Sequence, residues 1–389
     1  MSPLSNSYLT AEQLGARESY YPLHARVCDA CKLVQLEEFE SPEHIFSEYA
    51  YFSSFSDSWL RHSEAYVAAM TERFKLSGKS QVVEIASNDG YLLQYFVQRG
   101  IPALGIEPAA NVAKVAIEKR NVPSRSVFFG KATAAQLKSE GFAADLLLGN
   151  NVLAHVPDLN DFVGGMPVLL KADGVVTMEF PHLLQLMANN QFDTIYHEHF
   201  SYLSFFTVER VFAAHGLRMF DVDELPTHGG SIRIYACHGA AAHAETPRVA
   251  AMRAKEREFG LEDIATYRGF AERVRETKRA LLSFLIQAKR EGKTIAGYGA
   301  PAKGNTLLVY CGVGRDFIDF TVDRNPYKQG RFLPGTHIPI LSPEAITERK
   351  PDYVFILPWN IKEEVMQQMS SVKSWGGRFV AAIPKVAIS

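Results

Sequence analysis

The run Thr194-Ile195-Tyr196-His197-Glu198-His199-Phe200 places two imidazoles, a carboxylate and a phenol in four consecutive residues. That set can move a proton. A histidine suits general-base work near neutral pH, because its unperturbed pKa is about 6.5. A neighbouring carboxylate can orient the ring and stabilise its cation, and a tyrosine can donate to a developing oxyanion. The spacing is not the zinc signature H-E-x-x-H, since His197 and His199 are two apart. In an extended segment these two would share a face with Glu198 opposite; in an irregular loop any of the three could point inward.

A second constellation lies a hundred residues upstream, at Glu84-Ile85-Ala86-Ser87-Asn88-Asp89-Gly90. It follows an apolar strand pattern and precedes a helical one, with Gly90 where the backbone must turn and approach a ligand closely. One glycine cannot form the G-x-G-x-x-G pyrophosphate cradle. About twenty residues on, Gly105-Ile106-Glu107-Pro108 ends the next strand with an acid able to accept two ribose hydroxyls. An acidic first turn with an acid at the second strand end resembles class I S-adenosylmethionine-dependent methyltransferases. In that resemblance Glu84, Asn88, Asp89 and Gly90 line the methionine and ribose parts. Glu107 takes the ribose hydroxyls with Pro108 beside it in the cofactor site, and Asn150-Asn151 ends the fourth strand beside the donor. His155, in Leu153-Ala154-His155-Val156-Pro157, follows that strand and is expected near the donor as well.

The elements that must position these groups read as two α/β series. Residues 58–74 predict an amphipathic helix through Leu60, Tyr66, Ala69 and Met70. Strands are predicted at 81–86, 103–107, 144–149 and 174–179, with helices at 92–99 and 112–119 between them. Strands alternating with helices imply a parallel sheet covered on both faces. Residues 231–237 read as a late strand closing the sheet edge. Residues 246–291 read as one long helical connector, with Tyr267, Phe270, Val274, Leu281, Leu285 and Ala288 as its apolar stripe. A second series follows, with strands at 294–298, 317–322 and 353–357. The expected organisation is an N-terminal module over 1–57, a Rossmann-like donor-binding domain over 58–240, and a smaller Rossmann-like α/β domain with its connector over 241–389.

At 389 residues the chain exceeds one ordinary core, which favours such a division. A net charge of −2 leaves no global field to attract nucleic acid or anionic lipid, so any phosphate needs a local site. No apolar run reaches the ~20 residues of a membrane helix, and Met1 onward lacks a secretion-signal pattern. The four cysteines do not form a disulfide framework, and the expectation is a cytoplasmic protein. Cys28-Asp29-Ala30-Cys31 resembles half of a zinc ribbon. His24 could add a third ligand and no fourth is evident, so no metal site is assigned.

Gly297-Tyr298-Gly299-Ala300-Pro301-Ala302-Lys303-Gly304-Asn305 follows a strand and opens a helix. It fails the Walker pattern, but amides at a helix N-terminus together with Lys303 would attract a diphosphate. Asp323 ends the next strand where a second nucleotide fold would carry its acid. The alternative is a tight turn in a domain without a ligand.

From Cys28 to its end the chain resembles the sugar C-methyltransferases of bacterial deoxysugar pathways, especially the NDP-hexose 3-C-methyltransferases. The motifs that carry the resemblance are Cys28-x-x-Cys31 with Leu33-Val34-Gln35-Leu36, Tyr49-Ala50-Tyr51-Phe52-Ser53-Ser54, Glu84–Gly90, Asn150–His155, Tyr196–His199, His228-Gly229-Gly230-Ser231-Ile232-Arg233 and the turn at 297–305. It implies a zinc-binding module, a methyl-donor domain and a C-terminal domain, acting on a nucleotide-linked 4-keto sugar. His199 would be the base, with Tyr196, Glu198, His155 and Tyr51 around it, and with His228, Gly297, Lys303 and Asn305 toward the substrate. The family's first Cys-x-x-Cys is not present here. Two other readings stay open: C- or O-methylation of a non-sugar metabolite on the same scaffold, and a catalytically silent scaffold.

Overall fold

A computed structural model describes residues 1–41 and 52–389. Tyr51 and its neighbour Tyr49 lie outside the described residues. The chain forms two compact units. The central unit comprises Cys28–His182 and Phe200–Glu262, and the terminal unit Met1–Val27, Leu183–His199 and Asp263–Ser389. This division differs from boundaries at 57/58 and 240/241, and the cause is packing. Phe192, Ile195 and Tyr8 join a core with Leu281, Leu307 and Phe355, which draws both the N-terminal stretch and the 183–199 segment to the C-terminal sheet.

The central unit is built on seven strands: β1 (Val82–Ile85), β2 (Ala103–Ile106), β3 (Ser124–Arg125), β4 (Ala144–Asn150), β5 (Leu170–Pro181), β6 (Leu217–Leu225) and β7 (Ser231–His238). Their order is β3-β2-β1-β4-β5-β7-β6. The first five are parallel, whereas β7 runs antiparallel to both β5 and β6. Every residue of β1 and β2 is buried, as expected of strands covered on both faces, where apolar runs replace alternation. The two faces carry separate cores, one around Val83, Leu147 and Phe180, the other around Val82, Leu146 and Phe96. The strand order reverses between β1 and β4, and ligands of such sheets bind at the carboxyl ends beside that switch point.

Two sequence expectations change here. Residues 231–237 do form a strand, but it lies inside the sheet, and Leu217–Leu225 makes the edge. The edge strand carries Asp221, Asp223 and Glu224, whose charges hid its pattern. Arg73 and Arg248 satisfy Asp221, Arg248 also reaches Asp223, and Lys255 pairs with Glu224. The connector is two helices, Pro247–Phe259 and Ile264–Arg290. Gly260 ends the first at φ 91°, and Asp263 caps the second by accepting the Ala265 N–H.

The terminal unit holds a six-stranded sheet of β8 (Ile295–Tyr298), β9 (Phe320–Val322), β10 (Ile340–Leu341), β11 (Tyr353–Ile356), β12 (Arg378–Ala381) and β13 (Ala387–Ile388). The order is β10-β9-β8-β11-β12-β13, parallel except for β13. It is again doubly wound, with one core per face. No helix among the described residues is long and apolar enough to cross a membrane.

Candidate functional site

In the central unit the acidic turn leaves β1 in a strained path. Ala86 at φ 57°, Asn88 at 48° and Gly90 at 75° alternate through the left-handed region, which costs a β-carbon-bearing residue such as Ala86 about 1–2 kcal/mol. Gly105 on the neighbouring strand makes room for it, because a Cβ there would sit 2.3 Å from Ser87 Oγ. Glu107 ties the turn down from β2: Oε2 accepts the Asn88 N–H and Oε1 the Ala109 N–H, both at 2.9 Å. Asp89 is 1% exposed; its Oδ2 accepts from Ser54 Oγ and lies 3.3 Å from Arg120. Asp89 Oδ1 and Ser87 Oγ are buried without a protein partner among the described residues. Buried polar atoms of this kind ordinarily have partners, so these two are available to a ligand's hydrogen-bonding groups. Burial raises the pKa of Glu84 well above its ordinary value, and the charges of Glu107 and Asp89 add to the effect. Burial raises Glu107 too, against the two amides that favour its charge.

At the end of β4, Asn150 is buried opposite Glu179 of β5. Asn151, at φ 54°, gives its N–H to the Glu179 carbonyl at 2.7 Å and brings its side-chain Nδ2 within 2.6 Å of His228 Nε2. His228 is therefore joined to the carboxyl end of β4. Trp59 packs edge-on against His228 and stacks on Tyr91 and His62. His155 ends a short turn, Leu153–His155, directly after the strand. Sequence reasoning missed Trp59, His62, Ser54 and Arg120. Only Ser54, within the quoted Tyr49–Ser54 motif, left any signal.

In the terminal unit the Tyr196–His199 segment is irregular, and its four side chains go different ways. His197 is buried, with Nε2 3.0 Å from the Pro22 carbonyl and its ring edge-on to Tyr21. Burial holds its pKa below the usual histidine range. Glu198 is 5% exposed and accepts from Asn6 Nδ2 at 2.6 Å; burial pushes its pKa up to about 7. Tyr196 and His199 are half-buried and in contact, with ring centroids 4.1 Å apart and the planes tilted by 34°. His199 Nδ1 lies 2.9 Å from the Thr194 carbonyl oxygen. That oxygen can only accept, so Nδ1 carries the proton and the neutral ring has its lone pair on Nε2. Asp193, just before, is fully buried against Trp359 Nε1 at 2.7 Å and raised to about 7 by burial.

The glycine-rich turn at 297–305 uses its own groups internally. The Ala300 N–H is taken by Asp323 Oδ2 at 2.8 Å. A Cβ at Gly297 would meet Thr321 Oγ1 at 2.6 Å, and one at Gly299 would meet Pro358 Cδ at 2.6 Å. Close packing thus accounts for both glycines. Lys303 reaches Asn360 Oδ1 at 2.8 Å and lies 4.7 Å above the Trp359 ring, while Asn305 donates to the Ser5 carbonyl at 2.5 Å.

Cys28 and Cys31 are free thiols in a knuckle, with the Cys28 N–H to Leu33 O and the Lys32 N–H to Cys28 O, both at 2.9 Å. The Cys31 backbone amide, foremost, and its side chain hold the Cys28 thiol below its ordinary value. Two sulfurs are half a tetrahedral set. Among the described residues no group of three or more His, Cys, Asp or Glu gathers into a metal cluster, so the residues described do not fit a structural zinc.

Comparison with known proteins identifies the family. Family models described as "Putative zinc binding domain", "Methyltransferase domain" and "C-methyltransferase C-terminal domain" match residues 1–46, 59–222 and 226–384. The C-methyltransferase NovU of Streptomyces niveus is 39% identical over 387 residues, covering 99% of this chain and 91% of that protein. A ubiquinone biosynthesis O-methyltransferase of Bartonella tribocorum is 27% identical over 99 residues, or 25% of this chain and 39% of that one. Among solved structures, magnesium protoporphyrin IX methyltransferase from Synechocystis with bound SAH aligns at TM-score 0.37 and 16% identity, over 46% of this chain and 83% of that one. With one relative matched from end to end and three family models in register along its length, the chain belongs to the C-methyltransferase family and is an S-adenosylmethionine-dependent methyltransferase.

Proposed function

We propose that the methyl acceptor is the carbon beside the ketone of a nucleotide-linked 4-keto deoxysugar, and that His199 removes its proton. The observation that carries the reading is the His199 tautomer: with Nδ1–H given to Thr194 O, the lone pair on Nε2 is the one a base needs. When bound, S-adenosylmethionine supplies an electrophilic methyl group. The chain's residues do the rest. Nε2 takes the C–H proton, leaving its electron pair in an enolate; the Tyr196 hydroxyl donates to the enolate oxygen; ionised Glu198 favours the imidazolium. The enolate carbon then accepts the methyl group and the carbonyl re-forms, so His199 ends protonated and must release that proton before the next turnover.

The donor is assigned to the acidic turn of the central unit, with Glu84, Asn88, Asp89, Gly90, Glu107, Pro108, Asn150 and Asn151 around it. The unpartnered Asp89 Oδ1 supports this assignment. Replacing Glu107 by Ala is expected to raise the dissociation constant for S-adenosylhomocysteine about 10- to 100-fold, the order of one charge-assisted hydrogen bond. Calorimetric titration checks it, and unchanged affinity would remove Glu107 from the ribose.

The test of the acceptor chemistry is solvent exchange. A 4-keto sugar nucleotide deuterated beside the ketone should lose its label in the presence of enzyme and S-adenosylhomocysteine, where methyl transfer cannot occur. Retention of the label, with methylation intact on a hydroxyl acceptor, would shift the reading to O-methyl transfer.

A further inference from the structure

We propose that Asn6 is a positioning residue for methyl transfer, holding in place the ionised Glu198 that precedes the His199 base in the chain; this rests on the enolisation reading above. The two residues are 192 positions apart, yet Asn6 Nδ2 lies 2.6 Å from Glu198 Oε1. The amide's orientation is fixed by the carboxylate, which can only accept. The Tyr8 hydroxyl donates to Ala300 O at 2.5 Å and lies 3.2 Å from Asn6 Oδ1. With Nδ2 turned to the carboxylate, Oδ1 is left facing the Tyr8 hydroxyl.

Asn6 falls within residues 1–46, the stretch matched by the zinc-binding model, where the cysteine pair is incomplete as a metal set. Here that stretch contributes an amide to the reaction-bearing segment instead. The other titratable groups near Glu198 are Lys328, whose charge favours the carboxylate, and Tyr8. Lys328 is itself committed to Ala300 O at 2.8 Å and lies 3.9 Å from Asp323. Glu198 therefore depends on one short hydrogen bond and one cation to stay ionised in a buried place. Its pKa near 7 is the outcome of that balance. Loss of the Asn6 donor tips the balance toward the neutral acid, and a neutral Glu198 no longer favours the imidazolium that His199 becomes.

Asn6 is solvent-exposed, so its replacement removes little packing. Asn6→Ala should lower kcat about tenfold at pH 7, the order of one charge-assisted hydrogen bond. The rate should recover toward the parent as pH rises above 8, with affinity for S-adenosylhomocysteine unchanged. Asn6→Asp, of nearly the same shape but offering an acceptor where a donor is needed, should lose more than the alanine variant. A strap that only held the chain together would tolerate that isostere and show no recovery with pH. Glu198→Gln, assayed alongside, separates the two ideas. If it retains full rate, the reading and the proposal fail together. If it is inactive while the Asn6→Ala pH profile overlays that of the parent, the proposal alone fails.

Discussion

His199→Asn should lower turnover by about 10²–10⁴, the usual worth of a positioned general base, while donor affinity stays at the parent value. Asparagine can still donate to the Thr194 carbonyl that holds His199 Nδ1, so the segment keeps an anchor there. What it lacks is any basic atom: the amide nitrogen's lone pair is delocalised into the carbonyl and does not take a proton near neutral pH. The same variant should stop deuterium washout from the carbon beside the ketone, because exchange needs the base and not the methyl donor. The two readouts together are decisive. A parallel fall in affinity for S-adenosylhomocysteine would make His199 a structural residue, and washout at the parental rate would place the base elsewhere.

The parts of the fold legible in the sequence are those whose two faces are both buried. Val82–Ile85 and Ala103–Ile106 read as strands because apolar residues on both sides leave nothing else they could be. The acidic turn was legible because a glycine and three acids sit at fixed offsets from those strands. Leu217–Leu225 was not, because its charges are answered by Arg73, Arg248 and Lys255, and only the folded chain brings those partners to it. The break between the two connector helices left a signal, Gly260 followed by Asp263, a C-terminal glycine and an N-terminal cap, that the apolar stripe outweighed.

The candidate site divides the same way. Residue types announced Tyr196–His199, but the direction each side chain takes is set by distant groups: Asn6 for Glu198, Pro22 for His197, Trp359 for Asp193. Spacing within the run contains none of that. Glycines at 297 and 299 show the opposite hazard. A sequence cannot distinguish a glycine kept for a phosphate from one kept for Thr321 or Pro358, since both demand the absence of a Cβ.

Arg233→Met should destabilise the protein by about 3–5 kcal/mol at pH 7, the order for removing one partner of a buried ion pair. The side chain of Glu179 is entirely buried, and Arg233 Nη2 lies 2.6 Å from its Oε2; the guanidinium also covers the Tyr66 ring at 4.6 Å. Burial alone would raise the Glu179 pKa, but His62 and Arg233 outweigh it and hold the group at about 2. The sign of the pH dependence follows. A carboxylate depressed from about 4.3 when unfolded contributes stability above that value and loses it as pH falls toward 2. In the variant the folded pKa rises, so its deficit against the parent should shrink between pH 7 and pH 4, as read from urea midpoints. A deficit of equal size at both pH values would assign the loss to packing around Tyr66 instead. Adding Glu179→Gln to Arg233→Met removes the stranded charge and should restore more than half of the stability. Because the Glu179 carbonyl holds the Asn151 N–H, the single variant should also weaken S-adenosylhomocysteine binding, and the double variant should recover it. The ion pair is in this way tied to the end of β4 through a backbone bond that the double variant leaves in place.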